Sequence, residues 1–317
     1  MTVRGRYAPS PTGDVHLGNA STALLAWLST RSRAGRFVLR VEDLDLPRVR
    51  PGAEDEQLAD LGWLGLDWDE GPDVGGPYGP YRQSERFASY EAAFERLRSA
   101  GRCYPCFCSR KDIAAAASAP QEPGDEVRYP GTCRGLDPGD VRRRVEGGAP
   151  HAWRFRVDVP CAPRFDDGVH GPAGGPGSEP PGDFVVRRRD GTASYQLAVV
   201  VDDAAMRIDE VVRGDDLMAS TARQQLLYAA LGLPAPRFAH VPLLNGPDGV
   251  RLSKRHRGIS LRELRDHGWS GERAVGWIAR QVGLGDGGPV RARDLVDRFR
   301  FERVVRTVAG ITIEPPV

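Results

Sequence analysis

The sequence predicts an α/β fold, in which a Rossmann-like, doubly wound parallel sheet carries a cysteine-containing insertion and is followed by a short helical region. Three observations lead to this prediction. Strand-like and helix-like segments alternate over the first 45 residues, three of the five cysteines crowd at positions 103, 106 and 108, and strand-like segments resume after residue 184. Alternating strands and helices are typical of a parallel sheet with helices on both faces.

The amino-terminal segment predicts a strand, a helix and a second strand. Residues 3–7 are predicted to form the first strand, and residues 18–34 a helix with apolar residues on one face and Gly35 just after its end. Residues 36–41 alternate like a strand and lead to Glu42. Ligands of such sheets bind at the carboxyl ends of the strands, so a binding site is expected at the loop 8–19 and Glu42.

Later segments extend this pattern and divide the chain. Helices are predicted at 53–64, 84–100 and 220–231, and strands at 184–187, 195–202, 210–213 and 238–244. Residues 170–183 are too rich in Gly and Pro for regular structure and predict a flexible loop. Ser260 and Glu263 have the spacing of a helix capping box. We assign 1–100 and 185–245 to the sheet domain, 101–184 to the insertion, and 246–317 to a lysine loop and helical region.

Composition excludes several classes of protein. No apolar run approaches the roughly 20 residues that span a bilayer, and the first residues lack the apolar core of a signal peptide. The five cysteines fit a metal site in a reducing compartment better than a disulfide framework, so a cytoplasmic protein without membrane contact is expected. The net charge of +1 does not decide nucleic-acid binding, which depends on local patches such as the basic runs at 142–144, 187–189 and 255–257.

Two distant segments together predict an ATP site. In the first, SPTGDVHLGN at 10–19, His16 and Gly18 begin a helix whose exposed N–H groups and dipole favour an anion. Glycine at that point lets an adenine or a phosphate approach the backbone. The second, RLSKR at 251–255, contains Lys254, one of two lysines among 44 basic residues, whose mobile charge suits a departing pyrophosphate. A Walker A loop is lacking, which disfavours a P-loop site.

The cysteines predict a structural metal site. The segments 106–108 and 129–133 are about twenty residues apart, a usual span between the two halves of a zinc site. Spacing alone favours Cys103, Cys106, Cys108 and Cys133, because the first two form a C-x-x-C pair. Four filled positions would leave no open coordination for catalysis.

Several motifs, in order, resemble the glutamyl-tRNA synthetases. They are RYAPSPTG at 6–13 with HLGN at 16–19, FVLRVED at 37–43, YQLAVVVDD at 195–203, RGDDL at 213–217 and RLSKR at 251–255. The resemblance extends from about residue 4 to about residue 265, and this combination of motifs is highly specific. It implies the class I synthetase fold, with ATP and L-glutamate as substrates.

The resemblance also implies roles for individual residues. The catalytic residues would be His16, Gly18 and Lys254. ATP would be bound by Pro9, Ser10, Gly13, His16, Gly18, Asn19, Ser253 and Lys254. Glutamate would be bound by Arg6, Ala8, Ser10, Glu42, Tyr195 and Arg213. Two arginines in one pocket favour glutamate over glutamine, because the arginine fork binds a carboxylate through two hydrogen bonds.

Metal ions are implied by the same resemblance. Mg²⁺ would accompany ATP, and one structural Zn²⁺ would be held by Cys106, Cys108, Tyr129 and Cys133. A phenolate is an uncommon zinc ligand, so Tyr129 and Cys103 are alternatives for the fourth position.

The length of the chain favours a truncated branch of the family. About fifty residues follow the end of the resemblance at about residue 265, so no anticodon-binding domain is expected. The branch with this architecture activates glutamate without tRNA and esterifies it to the queuosine base at the wobble position of tRNA(Asp). The expected partner is then the tRNA(Asp) anticodon stem-loop, held through its phosphates by the arginine patches of a monomeric protein. Two alternatives are a tRNA-dependent catalytic core that charges a tRNA 3′ end, and an inactive paralogue that binds tRNA or a protein.

Overall fold

The structure is a computed structural model that describes residues 2–109, 111–113, 128–246, 259–307 and 310–313. Ser253 and Lys254 lie outside the described residues, as does the basic run at 255–257.

A six-stranded sheet forms the centre of the fold. Its strands are β1 (Arg4–Tyr7), β2 (Arg36–Leu39), β5 (Phe165–Asp167), β6 (Gly171–Ala173), β8 (Glu210–Gly214) and β9 (Arg237–Val241). The spatial order is β2-β1-β8-β9-β5-β6, and all neighbours are parallel except β5 and β6. This arrangement confirms the predicted α/β class with a parallel sheet.

Helices cover both faces of this sheet. The described helices are α1 (Leu17–Arg31), α2 (Ala53–Trp63), α3 (Phe87–Ser99), α4 (Pro138–Glu146), α5 (Tyr195–Ala205), α6 (Met218–Ala230), α7 (Leu261–Asp266) and α8 (Gly271–Gln281). Helix α4 lies in the insertion and has no buried residue. The side chains of β8 alternate between two hydrophobic clusters: Val211 packs with Leu97 of α3, and Val212 packs with Leu24 of α1. Burial on both faces is characteristic of a doubly wound sheet.

A smaller antiparallel sheet lies in the insertion. It contains β3 (Cys103–Cys106), β4 (Ala152–Phe155) and β7 (Phe184–Arg187). Sheet membership therefore does not follow the predicted boundary at 184, since β7 joins the small sheet whereas β5 and β6 join the large one. Strand β5 pairs in parallel with β9, where the Gly168 N–H donates to the Phe238 carbonyl, and the Asp167 carboxylate also accepts hydrogen bonds from the backbone and the ring of His240.

Two local predictions need correction. Residues 195–202 form helix α5 and not a strand, because Ser194 caps the helix by accepting a hydrogen bond from the Leu197 N–H. A short apolar run with valines does not distinguish a strand from a buried helix. Within the loop predicted at 170–183, residues 171–173 form β6, which pairs with β5 across a tight turn.

The carboxyl-terminal region packs against α1. The predicted capping box at the start of α7 is present, with Ser260 and Glu263 bonded to each other's backbone N–H. Strands β10 (Leu244–Asn245) and β11 (Ile311–Thr312) pair in parallel, and two short 3₁₀ helices, Ala292–Arg298 and Phe301–Arg303, precede β11. Among the described helices, none has the length and apolarity to cross a membrane.

Candidate functional site

A cavity of about 540 Å³ opens at the carboxyl ends of β1 and β8. Its lining includes eight of the residues predicted for the ATP and glutamate sites, namely Arg6, Ala8, Pro9, Ser10, Asn19, Glu42, Tyr195 and Arg213. Strands β1 and β8 are direct neighbours, so their carboxyl ends bring Arg6 and Arg213 to one edge of the sheet. The edge is where ligands of doubly wound sheets bind.

Arg6 belongs to a buried ion cluster. Its Nε lies 3.4 Å from an Asp203 carboxylate oxygen, and Nη1 of Arg40 donates to the same oxygen at 2.6 Å. Arg40 is fully buried and also donates to Glu42 at 3.0 Å. Burial alone would raise the pKa of Asp203, but Arg40 and Arg6 hold that pKa below its ordinary value. The cluster therefore keeps Asp203 ionised and fixes both Arg6 and Glu42.

Glu42 supplies negative charge at the pocket wall. Burial raises the pKa of its carboxyl above the ordinary value, although Arg40 and Arg6 pull that pKa down. A carboxylate with one cationic neighbour behind it and an open cavity in front can bind an ammonium group. Tyr195, the first residue of α5, lies across the cavity, and burial raises the pKa of its phenol.

Arg213 is held by neutral groups only. Its guanidinium donates to His240 Nε2 at 3.1 Å, to Gln224 Oε1 at 2.7 Å, to Thr221 Oγ1 at 2.7 Å and to the Leu217 carbonyl at 3.3 Å. No carboxylate of the described residues forms an ion pair with it. Burial lowers the pKa of Arg213 below its ordinary value, as expected for a desolvated cation. The pocket thus holds a positive charge that an anionic ligand can neutralise.

Residues predicted to bind ATP lie at and before the start of α1. His16 is the residue immediately before the helix, and the helix has no acidic residue in its first turn. A side chain built on Gly18 would meet no other atom, so the backbone is open to a ligand there. Gly13 adopts a positive φ of 144°, and its carbonyl accepts a hydrogen bond from Gln57. Gly13, His16 and Gly18 do not line the 540 Å³ cavity, although they lie in the sequence between Ser10 and Asn19, which do.

The segment that follows the lysine motif joins this helix start. His16 pairs with Ser260 in a β-bridge, and the backbone N–H of Leu17 donates to the Ile259 carbonyl at 3.1 Å. Leu261 N–H in turn donates to the Val15 carbonyl at 2.8 Å. The chain therefore returns to the helix N-terminus six residues after Lys254 in the sequence.

Three cysteines converge with one tyrosine in the insertion. The sulfur atoms of Cys106, Cys108 and Cys133 all lie within 4.8 Å of one another. The Tyr129 hydroxyl lies 3.4 Å from Cys106 Sγ and 4.0 Å from Cys108 Sγ. Cys103 is not part of this group and packs in a different hydrophobic cluster. Three thiols and a phenol facing one point fit a tetrahedral ion such as Zn²⁺.

A second cavity, of about 690 Å³, adjoins the first through the shared residue Tyr195. Four arginines line it: Arg128, Arg154, Arg188 and Arg223. Of the basic runs noted in the sequence, 142–144 is exposed on α4, and Arg188 of 187–189 reaches this cavity. Its lining also includes Glu179, which pairs with Arg128, and Asp183, so arginines outnumber carboxylates four to two.

Several functional candidates were missed from the sequence. Arg40, Asp203, Asp167 and His240 touch the pocket arginines directly or through one side chain. Their signal in the sequence was weak: Arg40, Asp203 and His240 are ionisable residues within or at the end of apolar segments, whereas Asp167 lies in a polar segment. Such residues are rarely buried unless they are paired.

Comparison with known proteins agrees with the geometry. The family model described as tRNA synthetases class I (E and Q), catalytic domain, matches residues 2–302. A crystal structure of a glutamate tRNA ligase from Elizabethkingia meningosepticum in complex with its amino acid superposes with a TM-score of 0.83 at 30% identity, covering 98% of this chain and 67% of that one.

Two relatives come from a single organism, Symbiobacterium thermophilum. Its glutamyl-Q tRNA(Asp) synthetase is 52% identical over 313 residues, which is 98% of this chain and 96% of the relative. Its glutamate–tRNA ligase is 43% identical over 279 residues, which is 88% of this chain and 58% of the relative.

Proposed function

Because the chain belongs to the class I tRNA synthetases of the E and Q type, we propose that it activates L-glutamate with ATP in the absence of tRNA and transfers the glutamyl group to the queuosine base at the wobble position of tRNA(Asp). The chain is thus a class I synthetase-like ligase. We propose the amino acid that it activates, activation without tRNA, and the acceptor of the glutamyl group.

Glutamate recognition rests on the charges of the first cavity. Arg213 offers a positive charge without an ionised partner among the described residues, and Arg6 lies on the neighbouring strand. A side-chain carboxylate would be bound there, while the ionised Glu42 would hold the substrate ammonium. Glutamine would leave the Arg213 charge unneutralised, so the pocket favours glutamate.

In the activation step, the α-carboxylate oxygen of glutamate attacks the α-phosphorus of ATP, and pyrophosphate leaves. The start of α1 and His16 would stabilise the negative charge that develops on the phosphorus oxygens. Lys254 would neutralise the departing pyrophosphate, together with the Mg²⁺ that accompanies ATP. The remaining ATP contacts assigned from the sequence are Pro9, Ser10, Gly13, Gly18, Asn19 and Ser253.

In the transfer step, a hydroxyl oxygen of the queuosine ring attacks the adenylate carbonyl, AMP leaves, and an ester forms. The second cavity supports this step, since it shares Tyr195 with the first and its lining includes Arg188, whose guanidinium can bind a phosphate of an anticodon stem-loop. No described side chain is an evident general base, and positioning of the two reactants can account for the rate.

The cysteine cluster would hold a structural zinc ion. Cys106, Cys108 and Cys133 supply thiolates, and Tyr129 supplies the fourth group. When bound, the ion would cross-link β3 to the segment 129–133 and so support the wall of the second cavity, to which Tyr129 and Arg128 belong. We place the protein in the cytoplasm as a monomer.

The choice of acceptor is supported by a comparison with the two relatives from Symbiobacterium thermophilum. This chain shares more of its residues with the glutamyl-Q tRNA(Asp) synthetase than with the glutamate–tRNA ligase, 52% against 43%. The two relatives share a genome, so the difference does not reflect the distance between organisms.

Glutamate-dependent exchange of pyrophosphate into ATP tests the proposal. We expect exchange with glutamate and ATP alone, and none with glutamine or aspartate. Exchange that requires added tRNA would favour the tRNA-dependent catalytic core instead. Absence of exchange under both conditions would favour the inactive paralogue.

A further inference from the structure

Three buried side chains form a line that ends on the pocket. Asp167 Oδ2 lies 2.6 Å from His240 Nδ1, and His240 Nε2 lies 3.1 Å from Arg213 Nε. The three residues belong to neighbouring strands β5, β9 and β8, and Arg213 is directly opposite His240 in the strand register. Asp167 and His240 do not line the cavity, so they act on it only through Arg213.

The hydrogen bonds determine where the imidazole proton lies. A guanidinium Nε–H can only donate, so His240 Nε2 must accept and carry no proton. The Thr221 hydroxyl, 3.1 Å from the same nitrogen, can donate to it as well. The single proton is then on Nδ1 and is donated to Asp167, whose carboxylate also accepts hydrogen bonds from the backbone N–H groups of Val169, His170 and His240.

The surroundings keep this imidazole neutral. Phe165 and Phe238 lie with their ring centroids 6.2–6.3 Å from each other and from the His240 ring, Phe238 parallel to that ring and Phe165 at an angle. Burial lowers the pKa of His240 below its ordinary value in spite of Asp167, and Arg213 and His170 lower it further. A protonated ring would place a second cation and a donor against the Arg213 Nε–H, which would push the guanidinium away.

We propose that Asp167 and His240 are positioning residues that hold the Arg213 guanidinium ready for the glutamate side-chain carboxylate through a neutral, Nδ1-protonated imidazole. This inference rests on the proposed function, since it takes glutamate as the ligand. A carboxylate in place of His240 would fix Arg213 equally well but would neutralise its charge. The neutral imidazole orients the arginine and leaves its charge for the substrate.

Two substitutions of His240 separate its two hydrogen bonds. His240→Gln can place an amide oxygen near the position of Nε2 and so still accept from Arg213, whereas His240→Asn can place an amide N–H near Nδ1 and keep only the bond to Asp167. We expect His240→Asn to raise the KM for glutamate by about tenfold to a hundredfold, the usual cost of a lost hydrogen bond to a charged group, with the KM for ATP unchanged. His240→Gln is expected to stay within about threefold of the parent protein.

A purely structural histidine predicts another pattern. Both variants would then be impaired alike, in proportion to their loss of thermal stability, and the KM values for glutamate and ATP would move together. Either that pattern or unchanged kinetics in both variants would overturn the inference. Failure of the proposed function is distinguishable, because the parent protein itself would then show no glutamate-dependent exchange.

The tautomer can also be read in the unaltered protein. Nitrogen-15 NMR of labelled histidine should show His240 as a neutral ring protonated at Nδ1, assigned by replacing the other five of the six histidines one at a time. A ring protonated at Nε2, or at both nitrogens, would contradict the inference even if both His240 variants fail to fold.

Discussion

The two sides of the amino-acid pocket hold their arginines in opposite ways. Arg6 lies beside the Asp203 carboxylate, which Arg40 also binds, so its charge is compensated within the protein. Arg213 is held by His240, Gln224, Thr221 and a carbonyl, none of them charged. Burying a cation without a counter-ion is costly. A buried cation without a counter-ion, such as Arg213, therefore indicates an anionic ligand. A buried ion pair, such as that of Arg6 with Asp203, indicates instead that the residues support the structure of the pocket.

The largest effect is expected where a compensated charge is removed. Arg40→Met leaves Asp203 and Glu42 buried without their main partner, and breaking a buried ion cluster in this way costs about 3–5 kcal/mol of the free energy of unfolding. Urea denaturation measures this loss. Arg98→Met, which breaks only the exposed pair of Arg98 with Glu95, is the matched control and should leave stability unchanged. Equal effects of the two substitutions would mean that the cluster is not a scaffold.

Removing the uncompensated charge should affect activity more than stability. Arg213→Gln deletes a cation without leaving a buried anion behind, and we expect kcat/KM for glutamate in pyrophosphate exchange to fall by on the order of 100-fold. Arg6→Gln should lose activity as well, but with a larger fall in melting temperature, because Asp203 then keeps only Arg40. If Arg213→Gln proves the less stable of the two, the distinction between the two sides is wrong.

The cysteine cluster extends the same reasoning to negative charge. Three thiolates together need a cation, and Cys133→Ser should lower zinc affinity by more than the roughly 10-fold to 100-fold that the loss of a residue behind a ligand costs, measured by competition with a chelator. Cys103→Ser is the control and should retain about one zinc ion per chain, because Cys103 lies outside the group. Equal loss of zinc in the two variants would restore Cys103 as a ligand.

The smallest effect concerns the pH dependence of glutamate binding. Burial raises the pKa of Glu42. An acid with a raised pKa loses its charge at a higher pH than a free side chain does, so the ammonium site weakens as the pH falls. The KM for glutamate should therefore rise as the pH falls through the raised pKa of Glu42, and the same profile in Glu42→Gln should be flat. A flat profile in the unaltered protein would show that Glu42 does not bind the ammonium as a carboxylate.

Much of the fold was predictable because local signals agreed with one another. Helix α1 follows its strand and its loop as predicted, and the Ser260 capping box is formed. Residues 195–202 failed because a valine run fits a buried helix as well as a strand, and only the tertiary packing decides between them. The place of β5 in the large sheet depends on its pairing with β9, in which Asp167 contacts His240, 73 residues away in the sequence.

The residues that line the pocket were predictable from motifs, whereas the buried residues that hold them were not assigned a role from the sequence. Arg6, Glu42, Tyr195 and Arg213 meet in one cavity, as the motifs implied. Arg40 and Asp203 lie within the quoted motifs at 37–43 and 195–203, and His240 lies in none of them, but the function of all three is a contact with another side chain, which a motif does not specify. Contacts of this kind appear only once the strands are placed side by side.

Transfer of labelled glutamate is the most direct test that the queuosine base of tRNA(Asp) is the acceptor. The protein is incubated with ATP, labelled glutamate and tRNA(Asp) that either carries or lacks queuosine, and the 3′-terminal nucleotide is then removed. We expect that label is incorporated only into the queuosine-containing tRNA and stays on it after removal of the 3′ end. Label that is incorporated without queuosine and is released with the 3′ end would contradict transfer to the queuosine base.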